Sequence, residues 1–382
     1  MSDTIRDESV RPTTQEPQPH EVPEGGLSEP TATAVNGAHG TPTTLSRRSA
    51  IGGAAALGAA TVVAGVAAGS AAAQSEEPAA RRNRPGTGRA VALITGTSSG
   101  FGRLIALTLA RAGYEVYASM RDLHHKNADS GRALRRVADT EGLALHVVDI
   151  DIRSDRSVEG GVRRVLRRAG RLDVLVNNAG IYYPALLETQ TVAQVQEIFE
   201  TNVFGQLRMN RAVLPTLRRQ GEGLVVQMTS GVGRITFPFQ GAYNGAKWAM
   251  EAMTEVSRYE LSQSGVDVVM VEPGAYPTDF IDNARELYRK YLHGLSRGDA
   301  RRRHEYGELA RRVENELAEA SGPDPQEVAD AVLRLAQTPA GQRPLRTLVG
   351  EDTALIEEIN AVHLRLQNEI MGYAGYEDLI SV

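Results

Sequence analysis

The sequence predicts an α/β fold: a doubly wound parallel sheet of about seven strands with helices on both faces, preceded by a disordered N-terminal leader. Three observations lead there. From residue 89 onward, short β-branched runs alternate with amphipathic stretches of helical period. Those runs are apolar throughout rather than at every second position, as strands covered on both faces must be. All 19 aromatic residues lie at or after Phe101, so the first hundred positions lack the large anchors of a core.

In chain order, residues 1–45 carry six prolines and seven acids and read as a disordered tail. Ser46-Arg47-Arg48 is followed by an uncharged run, Ser49–Ala73, that ends in Ala71-Ala72-Ala73. Twin Arg, a weakly apolar run and a small-residue exit resemble a twin-arginine export signal over 46–73. The competing reading is an Ala/Gly-rich low-complexity tail; Ala50 stands where such signals often carry Phe or Leu. The export reading implies the twin-arginine machinery as a partner and a periplasmic or external destination; the alternative is cytoplasmic. Residues 74–88, with Arg81, Arg82, Arg84 and Pro85, read as a linker. A single domain is expected over 89–382.

The strands of that domain are expected at Ala90–Thr95, Tyr114–Ser119, Leu143–Val148, Val174–Val176, Leu224–Met228, Val266–Val271 and Leu345–Val349. Helical stretches lie between them, starting near Gly100 and including Val192–Arg219 and Ala242–Ser262. In such sheets ligands bind beyond the carboxyl ends of the strands, so the residues just after each strand are the informative ones.

After the first strand comes Thr95-Gly96-Thr97-Ser98-Ser99-Gly100-Phe101-Gly102, then a helix. Glycines permit a tight turn and a close backbone approach, and the helix N-terminus offers N–H groups and a favourable dipole to a pyrophosphate. After the second strand an NAD site places an acid against the ribose hydroxyls. Here Ser119 and Met120 stand there, and Arg121 follows. A guanidinium suits a 2′-phosphate, which favours NADP over NAD; the competing role for Arg121 is to cap the turn. After the third strand, Asp151 and Ile152 are candidates for the adenine, with Asp151 as a helix-capping acid the alternative.

Tyr243 and Lys247 are spaced i, i+4 in a helical stretch and face one way. Ser230 follows the fifth strand, and Asn202 lies in the helix after the fourth. Together with Asn178-Ala179-Gly180, Pro273-Gly274 and Thr278, these residues occur in the order of a known family. The chain resembles the short-chain dehydrogenases/reductases, in the T-G-x-x-x-G-x-G subgroup, over residues 89 to about 350. It is similar to their hydroxysteroid and retinol dehydrogenase branch at the second strand and at Pro344-Leu345-Arg346. Phe101, where Ile is frequent, and Thr229, where Ser is frequent, are its small departures.

The resemblance implies a Rossmann-type fold and an oxidoreductase moving a hydride between NAD(P) and a carbonyl or secondary alcohol. It makes Tyr243 the general acid/base, with Lys247 and an oxidised nicotinamide lowering its pKa from about 10. Ser230 would hydrogen-bond the reacting oxygen, Lys247 would hold the nicotinamide ribose, and Asn202 would position a water leading to Lys247. Thr95, Gly96, Ser98, Ser99, Gly100, Phe101 and Gly102 would hold the pyrophosphate side. Asn178, Ala179 and Gly180 would line the adenosine side, and Pro273, Gly274 and Thr278 the carboxamide end. Members of the family are commonly homodimers or homotetramers.

The long segment from Tyr276 to about Ser321 reads as a helical lid over an apolar substrate, with Tyr182, Tyr183, Phe237 and Phe239 as further walls. Its Arg301-Arg302-Arg303 run reads as a solvated helix face. A C-terminal extension follows about residue 350. The net charge of −5 argues against a nucleic-acid partner. The absence of Cys excludes disulfides, thiolate metal sites and a Cys nucleophile, and His124, His125 and His146 lack partners at metal-binding spacing. Two other functions compete. A non-catalytic dinucleotide sensor or scaffold would not need Tyr243, Lys247 and Ser230 together. An epimerase or dehydratase of nucleotide sugars usually carries T-G-x-x-G-x-x-G instead.

Overall fold

A computed structural model describes residues 88–317, 322–351 and 353–380. The tail (1–45), the export-signal segment (46–73) and all but the last residue of the linker therefore lie outside the described residues, as do the last four residues of the lid segment.

Seven strands form one sheet: β1 (Val91–Thr95), β2 (Glu115–Met120), β3 (Leu145–Asp149), β4 (Val174–Asn177), β5 (Gly223–Met228), β6 (Val266–Pro273) and β7 (Arg346–Val349). The order is β3-β2-β1-β4-β5-β6-β7, and every pairing is parallel. Each predicted strand is present, with ends shifted by two residues at most.

All five residues of β1 are buried, and they alternate between two cores. Ala92 and Ile94 face one that also holds Ile105 and Leu109 of α1 (Gly100–Arg111), Leu134 of α2 (Ala128–Glu141) and Val328 and Val332 further on. Val91 and Leu93 face the other, with Val158 and Val162 of α3 (Asp155–Ala169). Two dry faces explain why the strand sequences show no polar alternation. The order reverses direction between β1 and β4, and that switch point opens a crevice at the strands' carboxyl ends.

The stretch predicted as one helix over 192–219 is interrupted. It runs as α4 (Val192–Phe199), a π turn (Glu200–Phe204) and α5 (Gly205–Gln220). The π turn contains Asn202, whose side chain bonds both polar groups of the Ile181 peptide: Ile181 N–H donates to Oδ1 at 2.8 Å, and Nδ2 donates to the Ile181 carbonyl at 2.9 Å. One extra residue in the turn is a frequent device at functional sites. It cannot be read from hydrophobic spacing.

The helix α6 (Gly241–Leu261) follows β5. After β6 come α7 (Asp279–His293), α8 (Arg297–Glu305) and α9 (Glu308–Asn315), then α10 (Gln326–Gln337). The helices α7 and α9 bury Tyr288, Tyr291, Ala310 and Val313 in a third core with Tyr182, Tyr183 and Ile198. The arginine run is not merely a solvated face. Arg303 donates to the Tyr288 hydroxyl at 2.9 Å and to the Ala310 carbonyl at 3.1 Å, and it pairs with Glu314 at 3.2 Å. It faces inward because α8 lies across α7 and α9, which spacing alone did not reveal. After β7 the chain ends in α11 (Ala354–Ala374) and the short α12 (Glu377–Ile380). Among the described residues no helix is long and apolar enough to cross a membrane.

Candidate active site

The crevice is built by side chains that tie one strand end to the next. Thr95, the last residue of β1, accepts the N–H groups of Asn178 and Ala179 on its Oγ1, both at 3.0 Å. Asn178 returns Nδ2 to the carbonyls of Thr95 at 2.9 Å and Gly96 at 3.1 Å. The turns after β1 and β4 are thus one unit. Thr97, wholly buried, anchors the same turn to β2 by donating its N–H and hydroxyl to the Ser119 carbonyl at 3.0 and 3.1 Å. Sequence reasoning passed over it, since it stands at a variable position of the motif.

The three glycines of the turn serve different needs. Gly96 has φ +71°, and a Cβ there would lie 2.8 Å from the Ala179 backbone. A Cβ on Gly102 would lie 2.2 Å from the Gly96 carbonyl oxygen. Gly100 needs only its left-handed conformation, φ +52°; a Cβ there would meet Thr278 at an ordinary 3.6 Å. That proximity brings Thr278, the N-cap of α7, across to the glycine turn. Phe101 packs edge-on against Tyr276 at 5.4 Å between ring centres.

The helix α1 starts at Gly100 with no side-chain cap from Ser99 and no acid in its first turn. Its leading N–H groups and dipole are therefore left to an external anion. Ser98 and Ser99, half-buried beside them, have hydroxyls without a protein partner among the described residues. These features fit the pyrophosphate of a dinucleotide.

At the end of β2 the Arg121 carbonyl is capped by Asn127 Nδ2 at 2.7 Å, and its guanidinium makes no hydrogen bond or ion pair among the described residues. The charge of Arg121 is nevertheless felt at Asp151. Asp151 itself is paired with Arg153, Nε on Oδ1 at 3.2 Å and Nη2 on Oδ2 at 3.1 Å. Burial pushes its carboxyl up, but the Arg153 contacts outweigh that and hold it below its ordinary value. Ile152 is buried against Gly205, so only its backbone faces outward chemistry. Gly180 lies under Asn202, where a Cβ would come 3.3 Å from Oδ1.

Ser230 follows β5 and donates its Oγ to the Pro273 carbonyl at 3.3 Å, while Gly274 N–H continues to the Val349 carbonyl at 2.9 Å. Tyr243 lies near enough for the Ser230 hydroxyl to influence its phenol. Lys247, 6% exposed, sends Nζ to the Met228 carbonyl at 2.8 Å and lies 5.5 Å from the centre of the Tyr243 ring. Burial raises the Tyr243 phenol above its ordinary value, and the neighbouring Ser230 hydroxyl pulls the other way. Burial lowers the Lys247 ammonium to about 8, opposed by the charge of Glu251. Ser230, Tyr243 and Lys247 are therefore brought together. Asn202 is not joined to them by its side chain, which is engaged with Ile181.

A sequence profile of the short chain dehydrogenase family matches residues 90–288. This chain belongs to that family. The dehydrogenase is 32% identical to retinol dehydrogenase 8 of Homo sapiens, over 69% of this chain and 85% of the relative. It is 34% identical to 17-beta-hydroxysteroid dehydrogenase type 1 of Mus musculus, over 65% of this chain and 71% of the relative. Among solved structures it is similar to an alcohol dehydrogenase from the archaeon Thermococcus sibiricus complexed with 5-hydroxy-NADP. There the TM-score is 0.54 and the identity 26%, over 69% of this chain and 97% of that one. As a short-chain dehydrogenase of the hydroxysteroid and retinol branch, the protein is an NAD(P)-dependent oxidoreductase acting on CH–OH and C=O groups.

Aromatic side chains cover this dehydrogenase's Tyr243. Tyr182 lies 5.0 Å and Phe280 6.3 Å from it between ring centres, and the two stack on each other at 6.0 Å. Tyr182 and Tyr183 are buried and Phe239 partly so, whereas Phe237 is exposed.

Proposed function

We propose that this dehydrogenase uses NADP to interconvert a bulky, apolar alcohol and its ketone or aldehyde, with Tyr243 as general acid/base. The observation that carries the reading is the grouping of Ser230, Tyr243 and Lys247 at the carboxyl end of β5. Bound NADP supplies the hydride acceptor or donor. The residues do the rest. Tyr243 gives a proton to, or takes it from, the substrate oxygen. Ser230, turning its hydroxyl from the Pro273 carbonyl, would donate a hydrogen bond to that oxygen as charge develops. Lys247, held by the Met228 carbonyl, would offer its remaining N–H groups to the nicotinamide ribose and steady the Tyr243 phenolate. Asn202 fixes the Gly180-Ile181 wall, and any water that it orients hangs on its backbone.

Preference for NADP is supported by the Arg121 guanidinium, unpartnered among the described residues, after a β2 end that carries Ser119 and Met120 where an NAD site places an acid. Asn127, not Arg121, caps that turn. The apolar character of the substrate is supported by Tyr182 and Phe280 beside Tyr243. Assembly as a homodimer or homotetramer is supported by the exposed Leu207, Trp248, Met253 and Val256 on α5 and α6. Export by the twin-arginine route rests on residues 46–73 alone.

The deciding experiment is Tyr243→Phe. Turnover should fall by about two to four orders of magnitude while NADPH still binds. Near-normal turnover would refute the assignment.

A further inference from the structure

Behind Lys247 and Ser230 lies a buried charge cluster that the reaction itself does not call for. Glu251 is one turn beyond Lys247 on α6, so Tyr243, Lys247 and Glu251 run along one side of the helix. Glu251 is 2% exposed, and its Oε2 meets both Nε and Nη2 of Arg346 at 3.1 Å. Arg346, from β7, also reaches Glu272 of β6 at 3.1 Å and Glu255 at 3.3 Å. The residue after Glu272 is Pro273, whose carbonyl accepts the Ser230 hydroxyl. Glu251 also fills the space beside Gly233, in the turn that Ser230 opens: a Cβ there would lie 2.8 Å from its Cγ.

The helix α11 closes the cluster from outside. Asn360 Nδ2 donates to Glu272 at 2.8 Å, and His363 Nε2 is 3.1 Å from both oxygens of Glu255. Ile356 lies against Gly231. None of the residues of α11 is fully buried, and its apolar Leu355, Ile359, Val362 and Ile370 are exposed. The helix is thus seated by its polar side on these carboxylates.

We propose that Glu251 is a positioning residue for Lys247, and that Arg346, bonded to its Oε2 and tied in turn to Glu272 and Glu255 under α11, holds Glu251 in place. A dry pocket disfavours an ammonium. One buried negative charge a turn away opposes that, and Glu251 is the neighbour that does so for Lys247. Facing Lys247 are Tyr243 and Glu251 on α6 and the Met228 carbonyl on β5. Facing the cluster are Glu255 and Tyr259 on α6, Glu272, Arg346, Arg234, and His363 with Asn360 on α11. Burial and Glu251 push Glu272 up to about 7, while Asn360 and Arg346 resist. Loss of the Asn360 donor would push the Glu272 carboxyl further up. The proposal rests on the reading of Tyr243 and Lys247 as the catalytic pair.

The chain holds three lysines, Lys126, Lys247 and Lys290, so 13Cε-lysine labelling of the full chain gives three signals, with Lys247 identified by its loss in Lys247→Arg. The Lys247 signal should titrate near 8 in the parent. In Glu251→Gln the midpoint should fall by about one unit. In Asn360→Ala, which changes a half-exposed residue of α11, it should move the same way by less. An unmoved midpoint in a folded Glu251→Gln protein overturns the proposal; should that variant not fold, an unmoved midpoint in Asn360→Ala does so. These titrations need no turnover. Activity surviving in Tyr243→Phe would refute the catalytic reading, whereas an inactive Tyr243→Phe with unmoved Lys247 midpoints refutes only the role of Glu251.

Discussion

Lys247 Nζ donates to the carbonyl of Met228 at 2.8 Å, two residues before Ser230. One ammonium thus joins α6 to the strand end that carries the other polar group on the reacting oxygen. Burying it is costly, and burial lowers its pKa from 10.5 to about 8.

That shift has a sign that stability measurements read. Below pH 8 folded and unfolded chains both carry the proton, and the folded state bears the full desolvation cost. Between about 8 and 10.5 the unfolded chain keeps a proton that the folded chain has shed, so Lys247 favours folding more as pH rises. The stability difference between the parent and Lys247→Met should therefore change by about 3 kcal/mol across that window, in favour of the parent at high pH. Urea unfolding of both proteins at pH 7.5, 9 and 10 reads it. A difference independent of pH would mean that Lys247 is not desolvated.

The glycine turn separates steric need from conformational need. Gly102→Ala forces a methyl to within 2.2 Å of the Gly96 carbonyl oxygen, so the turn must open and dinucleotide binding should be lost. Gly100→Ala meets no backbone and carries only left-handed strain, roughly 1–2 kcal/mol. It should fold and bind NADPH with an affinity reduced about tenfold. Nicotinamide fluorescence titration ranks the two, and equal effects would contradict this division.

The sequence made the strands and the order of site residues legible, because burial on both faces leaves apolar runs and because strand ends carry the chemistry. Thr95 and Asn178 lie at the ends of β1 and β4 and Ser230 at the end of β5, and Tyr243 and Lys247 share one side of α6. Thr97, the π turn around Asn202 and the inward Arg303 were not legible. Each depends on which distant peptide or hydroxyl a polar side chain meets: the Ser119 carbonyl, the Ile181 peptide and the Tyr288 hydroxyl. Arg346 was noticed only as part of a resemblance. Its three carboxylate partners come from α6 and β6, 74–95 positions earlier in sequence.

Arg121 tests the choice of cofactor. Its guanidinium is unpaired among the described residues, while Asn127 already satisfies the carbonyl of its turn. Arg121→Ser should therefore leave folding unchanged. It should weaken NADPH binding by about ten- to a hundredfold, the loss of charge-assisted hydrogen bonds worth roughly 1.5–3 kcal/mol. NADH, which lacks the 2′-phosphate, should bind as before. Equal weakening of both cofactors would assign Arg121 a structural role in the turn.

Arg303 tests whether the helices over Tyr243 act as one body. Its guanidinium joins α8 to the Tyr288 hydroxyl on α7 and to Ala310 and Glu314 on α9. Tyr288 in turn stacks on Tyr291, 5.7 Å between ring centres, and Tyr291 packs at a tilt against Tyr183. Replacing Arg303 by Leu leaves the buried Tyr288 hydroxyl and the Ala310 carbonyl without this donor, at about 1–3 kcal/mol for a buried group left unpaired. The sheet, which Arg303 does not touch, should keep its stability and its affinity for NADPH. Local opening of residues 297–315 should rise instead, read as faster amide exchange in α8 and α9. The KM for an apolar alcohol should increase about tenfold with little change in kcat, because Phe280 on α7 stands beside Tyr243 and loses its backing. Unchanged exchange in α8 and α9 would mean that packing on Tyr182 and Tyr183, rather than Arg303, holds these helices together.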